Sequence, residues 1–302
     1  MLVAALASLM SSVAWAYGSS KYALYAQKSS PAFVNLIRAC VAAPLFLICA
    51  IFLDSAAFVW SLAMTPHLAW LMLSALSSYV IGDVFFYMAS ARIGTATALA
   101  IASTYPMWAS ILGASILNES LHSQQWAGII SCILGIITLV YFQPSSHAHA
   151  VSLRKHIIQG AGLAFLASIL WASNSYAVSQ GQIKNALFLT NAIRYFSAFF
   201  ILFVFYQLKD KMHLKKNAKD KTLNIKTLGI KLFPTIFVEA FLGSIFFVYG
   251  FSHGSLSQGA ALSSLSPFFA VIFERFLRHR KTTYYQLLGM CFTLIGVLLI
   301  IL

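Results

Sequence analysis

The chain has 302 residues, 60% of them hydrophobic and only 9% charged. A soluble protein of that length needs far more charge to cover its surface. The formal charge of +13 lies almost wholly between apolar runs, without aromatic–basic interleaving on a polar domain, so it argues against a nucleic-acid partner and for a positive-inside bias.

Apolar runs recur at about the 20-residue length that crosses a hydrocarbon core as a helix. In chain order they cover roughly 2–24, 33–53, 67–90, 95–117, 124–142, 157–178, 186–208, 229–252, 255–277 and 283–302. None alternates with the period of a barrel strand. The predicted fold is therefore an all-α integral membrane protein with ten transmembrane helices.

The first run contains Ala14-Trp15-Ala16, which imitates a signal-peptidase site but lacks a basic segment before it. It reads as a retained helix. The second run carries Arg38. The third carries Tyr79, Asp83 and Tyr87 at i, i+4 and i+8, one stripe of a helix. Such a stripe is costly against lipid and useful against a water-filled cavity.

The fourth run starts with Gly94-Thr95-Ala96-Thr97-Ala98, small enough for close helix approach, and contains Pro106. The fifth has Gly128 and Gly135 seven apart, a packing seam. His147, His149 and His156 follow in a Ser- and Ala-rich connection that reads as a solvated linker, not a metal site.

In the sixth run Trp171 and Asn174 share a face, and the seventh carries Arg194. Glu239 lies near the middle of the eighth. Pro267 lies in the ninth, after Gly254-Ser255-Leu256-Ser257-Gln258-Gly259-Ala260, and Gly289 and Gly296 lie in the tenth. Cys40, Cys49, Cys132 and Cys291 all fall within runs and read as packing residues.

Much of this is said twice. Asn35-Leu36-Ile37-Arg38 returns as Asn191-Ala192-Ile193-Arg194, and Trp15-Ala16 as Trp171-Ala172, at a spacing of 156. Gly82, Phe85, Phe86, Pro106, Gln125, Gly128 and Gly135 return as Gly243, Phe246, Phe247, Pro267, Gln286, Gly289 and Gly296 at a spacing of 161. Residues 1–142 and 157–302 are thus collinear five-helix repeats.

Five is odd, so the second repeat enters the membrane upside down relative to the first. One side of the predicted topology carries seventeen Lys and Arg, including eight lysines from Lys209 to Lys231, and the side with the termini carries only Lys184. The bias places the Lys209–Lys231 loop in the cytoplasm and both termini outside.

The chain resembles the EamA-like branch of the drug/metabolite transporter superfamily. The likeness rests on Ala14-Trp15-Ala16, Arg38, Ser103-Thr104-Tyr105-Pro106, Asn118-Glu119-Ser120-Leu121 and Gln125-Trp126-Ala127-Gly128. Leu170-Trp171-Ala172, Arg194, Leu265-Ser266-Pro267 and Gln286-Leu287-Leu288-Gly289 carry it in the second half. Glu119 departs from the family pattern of a paired Glu, because its counterpart here is Arg280, and the nearest acid is Glu274.

The resemblance implies a gradient-driven exporter of small metabolites such as amino acids or their analogues, in the plasma membrane. The partners so implied are a small-molecule substrate, the lipid bilayer and, as a coupling ion, protons. No motif calls for a cofactor, a metal or catalysis: HExxH, GxSxG, Walker A and GxGxxG are all missing. A lipid-modifying enzyme would need such a constellation, and an uncoupled channel or scaffold would not need acids deep in helices.

The candidate substrate-binding residues are Trp15, Arg38, Tyr79, Asp83, Tyr87, Trp171, Asn174, Arg194 and Glu239. A charged group at the centre of a membrane helix costs about 2.5–3.5 kcal/mol on insertion scales, so a use for each is expected. Two readings stand for Arg38 and Arg194: snorkelling or clamping a backbone carbonyl near a helix end, or touching substrate. Asp83 and Glu239 read either as structural partners or as substrate and proton contacts. They are not repeat equivalents, since Asp83 aligns with Ser244 and Glu239 with Ser78.

Overall fold

The computed structural model describes residues 2–54, 66–108, 111, 122–142, 150–183, 186–211, 225–253, 262–278 and 283–301. Among these residues the chain is helical and has no strand. Helix α1 spans Leu2–Lys28 and α2 Pro31–Leu53. Helix α3 runs through Pro66–Ala75, Leu76–Gly82 and Asp83–Ile93. Helix α4 covers Thr95–Ala102 and resumes at 105–108. Then come α5, Ser123–Tyr141, α6, Ala150–Gly181, and α7, Leu187–Lys211. Helix α8 runs through Ile225–Ile236, Phe237–Gly243 and Ser244–His253. Helix α9 is Ser266–Arg278 and α10 is Tyr284–Ile301.

Six helices among the described residues are long and apolar enough to cross a membrane, in α1, α2, α3, α6, α7 and α8. Helices α5 and α10 are shorter and apolar. Side chains such as Phe52, Ile137, Phe200 and Phe203 stand exposed on the outside, where a bilayer is the solvent that suits them. The positions 119, 147, 149, 254–260 and 280 singled out in the sequence lie outside the described residues.

Helix starts follow local chemistry. Ser30 caps α2 by accepting from Phe33 N at 3.3 Å, with Pro31 in the first turn. Gln125 Oε1 accepts from His122 N at 2.8 Å, and Gln286 Oε1 from Thr283 N at 3.0 Å. The repeated glutamines are therefore helix-start caps. Asp54, at the end of α2, accepts from Leu189 N at 2.7 Å and so caps α7.

The packing list has a symmetry of its own. Helix α1 packs on α8 and α9, α6 packs on α3 and α4, α2 packs on α7, and α5 packs on α10. Exchanging the first five helices for the last five leaves that list unchanged. The self-paired helices run antiparallel: Phe33 meets Tyr206 while Phe46 meets Tyr195. Between α5 and α10 a Cβ on Gly296 would come within 2.6 Å of Gly128 O, and one on Gly289 within 2.7 Å of Leu139 Cγ. These glycines let two backbones approach to near contact.

Two local breaks also come in pairs. Leu76–Gly82 and Phe237–Gly243, 161 residues apart, are wide π turns inside their helices. A π turn displaces carbonyls from the i→i+4 ladder. Side chains from α2 and α7 take up matching carbonyls: Asn35 Nδ2 donates to Tyr79 O at 2.8 Å, and the Tyr195 hydroxyl to Ala240 O at 3.1 Å.

Pro106 and Pro267 differ from expectation, since they do not sit inside unbroken helices. Each helix turns just ahead of its proline, at 103–104 and 264–265, and restarts. A proline ring clashes with the carbonyl four residues back and is tolerated in a first turn. The breaks bring the Ser103 and Ser266 hydroxyls to 3.3 Å.

Candidate functional site

A cavity of about 650 Å³, counting its open mouth, lies where every helix except α5 and α10 contributes a wall. All nine residues singled out in the sequence line it: Trp15 from α1, Arg38 from α2, Tyr79, Asp83 and Tyr87 from α3, Trp171 and Asn174 from α6, Arg194 from α7, and Glu239 from α8. Trp15 packs on Phe247 with ring centroids 4.8 Å apart, and Trp171 on Phe86 at 5.4 Å. These are repeat-equivalent pairs, so the cavity has similar aromatic walls on both sides.

The two arginines are buried, Arg38 at 3% exposure and Arg194 at 2%. Neither reaches a surface, which removes snorkelling. Their surroundings differ sharply. Arg38 Nη1 donates to Asp83 Oδ2 at 2.5 Å and Nη2 to Glu239 Oε1 at 2.6 Å. One cation is thus shared by two carboxylates, one from its own half and one from the other. Asp83 is held on its second oxygen as well, by Trp171 Nε1 at 3.1 Å. Tyr22 stands beside the Glu239 carboxylate, whose Oε2 makes no hydrogen bond of good geometry among the described residues.

Glu239 reaches Arg38 because α1 is hollow opposite it. A Cβ on Gly18 would stand 2.1 Å from Glu239 Cγ and 2.4 Å from its Cβ. Only hydrogen fits there. The repeat equivalent of Gly18 is Asn174.

Among the described residues Arg194 donates hydrogen bonds only to neutral groups, while the Asp83 charge acts on it without direct contact. Its Nε donates to Ser74 Oγ at 2.8 Å, Nη1 to Asn191 Oδ1 at 3.1 Å and Nη2 to Asn174 Oδ1 at 3.2 Å. Ser74 in turn donates to Asn174 Oδ1 at 2.7 Å. Both ion pairs found among the described residues belong to Arg38. Both cations lie against the Tyr79 ring, with Arg38 Cζ 5.0 Å and Arg194 Cζ 4.9 Å from its centroid. Tyr79 also stacks on Tyr195 at 4.5 Å, and Tyr195 stacks on Phe46 at 5.5 Å. A π face toward each guanidinium lowers the cost of burying two like charges side by side.

Sequence reasoning missed Tyr195, Ser74 and Gly18. Tyr195 adjoins Arg194 in the chain, and Ser74 precedes Ser78 by one helical turn, so both had a positional signal. Gly18 had one too, since it faces Asn174 in the repeat register. No cluster of three His, Cys, Asp or Glu suited to a metal occurs among the described residues, and the four cysteines are unpaired.

Comparison with known proteins matches the EamA-like transporter family over residues 1–141 and 158–302. The chain belongs to that family, whose members are membrane transporters of small molecules and not enzymes. Sixteen solved chains are similar. One of them aligns with a TM-score of 0.61 at 13% identity, over 98% of this chain and 95% of its own, a likeness of fold alone. No curated protein matches.

Proposed function

We propose that this EamA-like chain is a secondary transporter that exports small metabolites, such as amino acids or their analogues, across the plasma membrane. An ion or solute gradient drives it, with protons as the coupling ion. Residues 1–142 and 157–302 act as two inverted five-helix repeats, ten transmembrane helices in all, with both termini outside.

The observation that carries this reading is the charged cavity between the two sets of helices. Charge buried at such cost marks a path or a binding site in membrane proteins. The antiparallel α2·α7 and α5·α10 pairs support a pseudo-two-fold axis in the membrane plane, the symmetry that exchanges outward- and inward-open states. Arg38 and Glu239 form the one ion pair joining opposite halves among the described residues. A proton on Glu239 would remove that tie and free the halves to rock.

Counterflow in proteoliposomes tests the reading. A carrier preloaded with unlabelled metabolite accumulates labelled metabolite without a gradient. Passage without exchange acceleration, as through a channel, would refute it.

A further inference from the structure

Repeat symmetry poses a question that Arg194 answers. Arg38 and Arg194 are equivalent in the repeat register. Against Arg38 stand Asp83 of its own half and Glu239 of the other. The register counterparts of those acids are Ser244 and Ser78, so neither position offers a carboxylate a second time. Arg194 bonds instead to Ser74, Asn191 and Asn174.

A buried guanidinium with no carboxylate in contact is expensive, because neutral hydrogen bonds replace only part of its lost hydration. Three of the five guanidinium N–H groups are engaged, all by neutral oxygens, and the residue lines the open cavity. Arg38 cannot serve an incoming anion in the same way, since both its terminal nitrogens are held by acids.

We infer that Arg194 is the docking point for a carboxylate carried by the transported molecule, which supplies the anion that Ser78 and Ser244 do not. The aromatic walls from Trp15, Phe247, Trp171 and Phe86 then take the apolar body. The substrate class is a small amphipathic carboxylate, amino acids included. This rests on the transporter reading above.

The test uses the full chain in lipid nanodiscs and matched probes: L-leucine with L-leucinamide, 4-methylpentanoate with its amide, and 3-phenylpropionate with its amide. In at least one pair the carboxylate binds about tenfold tighter or better, as a charge-assisted pair to Arg194 requires. Asn174→Asp keeps the shape and both accepted hydrogen bonds but gives Arg194 an internal anion. It reduces the preference to about threefold or less, the low end of what a neutral hydrogen bond supplies. Arg194→Gln does the same by removing the cation. A structural role alone for Arg194 leaves Asn174→Asp binding like the wild type.

Absence of any carboxylate preference in the wild type, or its survival in Asn174→Asp, overturns the inference. Counterflow with the same probes separates the two claims. A carboxylate that binds through Arg194 without exchanging sinks the transporter reading and spares the site. Equal exchange of carboxylate and amide does the reverse.

Discussion

Removal of Arg38 puts the buried ion triad to its hardest test. Arg38→Gln leaves Asp83 and Glu239 facing each other with no cation between them, in side chains that are 9% and 6% exposed. Breaking a buried ion pair by deleting one partner costs about 3–5 kcal/mol. The larger share falls on Glu239, because Asp83 keeps its bond from Trp171 while Glu239 loses its Arg38 bond. Adding Glu239→Gln to Arg38→Gln removes the worst uncompensated charge, so the double variant recovers stability where two independent lesions would add. Reversible unfolding in mixed micelles measures all four corners of the cycle. The coupling should exceed about 1 kcal/mol in magnitude, as for residues in one network. A cost under about 1 kcal/mol for Arg38→Gln, or additive lesions, would mean that the three charges do not share one dry site.

Further expectations concern other parts of the molecule. In Glu239→Gln, gradient-driven accumulation fails while exchange persists if Glu239 carries the coupling proton, and normal accumulation by both Glu239→Gln and Asp83→Asn would remove the acids from the mechanism. Gly296→Ala forces a methyl within 2.6 Å of Gly128 O and Cys132 Sγ; it should destabilise by about 1–3 kcal/mol, and unchanged unfolding stability would contradict the close α5–α10 approach. Asp54→Ala should lose about 0.5–2 kcal/mol of helix-cap energy in the same assay. Burial also holds the Asp54 carboxyl above the usual carboxylate range, against the Leu189 and Phe188 backbone donors that lower it. The folded state then binds the proton more tightly, so the Asp54 contribution to stability falls as pH rises from the ordinary Asp value through the raised one, and Asp54→Asn should have a shallower slope there. Single cysteines on a Cys-free background should label from outside near residue 302 and not near residue 216; the opposite pattern would invert the proposed orientation.

The apolar runs made most of the helices readable in advance, and the four charges that line the cavity stood out within those runs; the repeat paired only the two arginines. Polar residues in apolar runs have few places to go, and the doubled Asn-x-Ile-Arg motif marked matching ones. Partners were harder to read. Nothing in the spacing of Arg38, Asp83 and Glu239 says that one cation bridges two acids, because Glu239 lies 201 residues from Arg38 and only the helix packing brings it close. The environment of Arg194 depends on serines and asparagines, which are common enough in helices to raise no alarm. Helix ends were blurred where polar residues extend a helix past its apolar run, as in α6, which begins at Ala150 and not near 157. The proline breaks and the π turns carry no length signature in composition.

The π turns also divide what the two halves share from what they do not. A wide turn of this kind sets carbonyls off the regular ladder. Both copies have it in the same register, with the accepting carbonyls of Tyr79 and Ala240 in matching places. The donors that satisfy those carbonyls are not matched: Asn35 serves one and Tyr195 the other. The backbone irregularity is thus common to both halves, while the side chains around it, the acids on Arg38 among them, are particular to each.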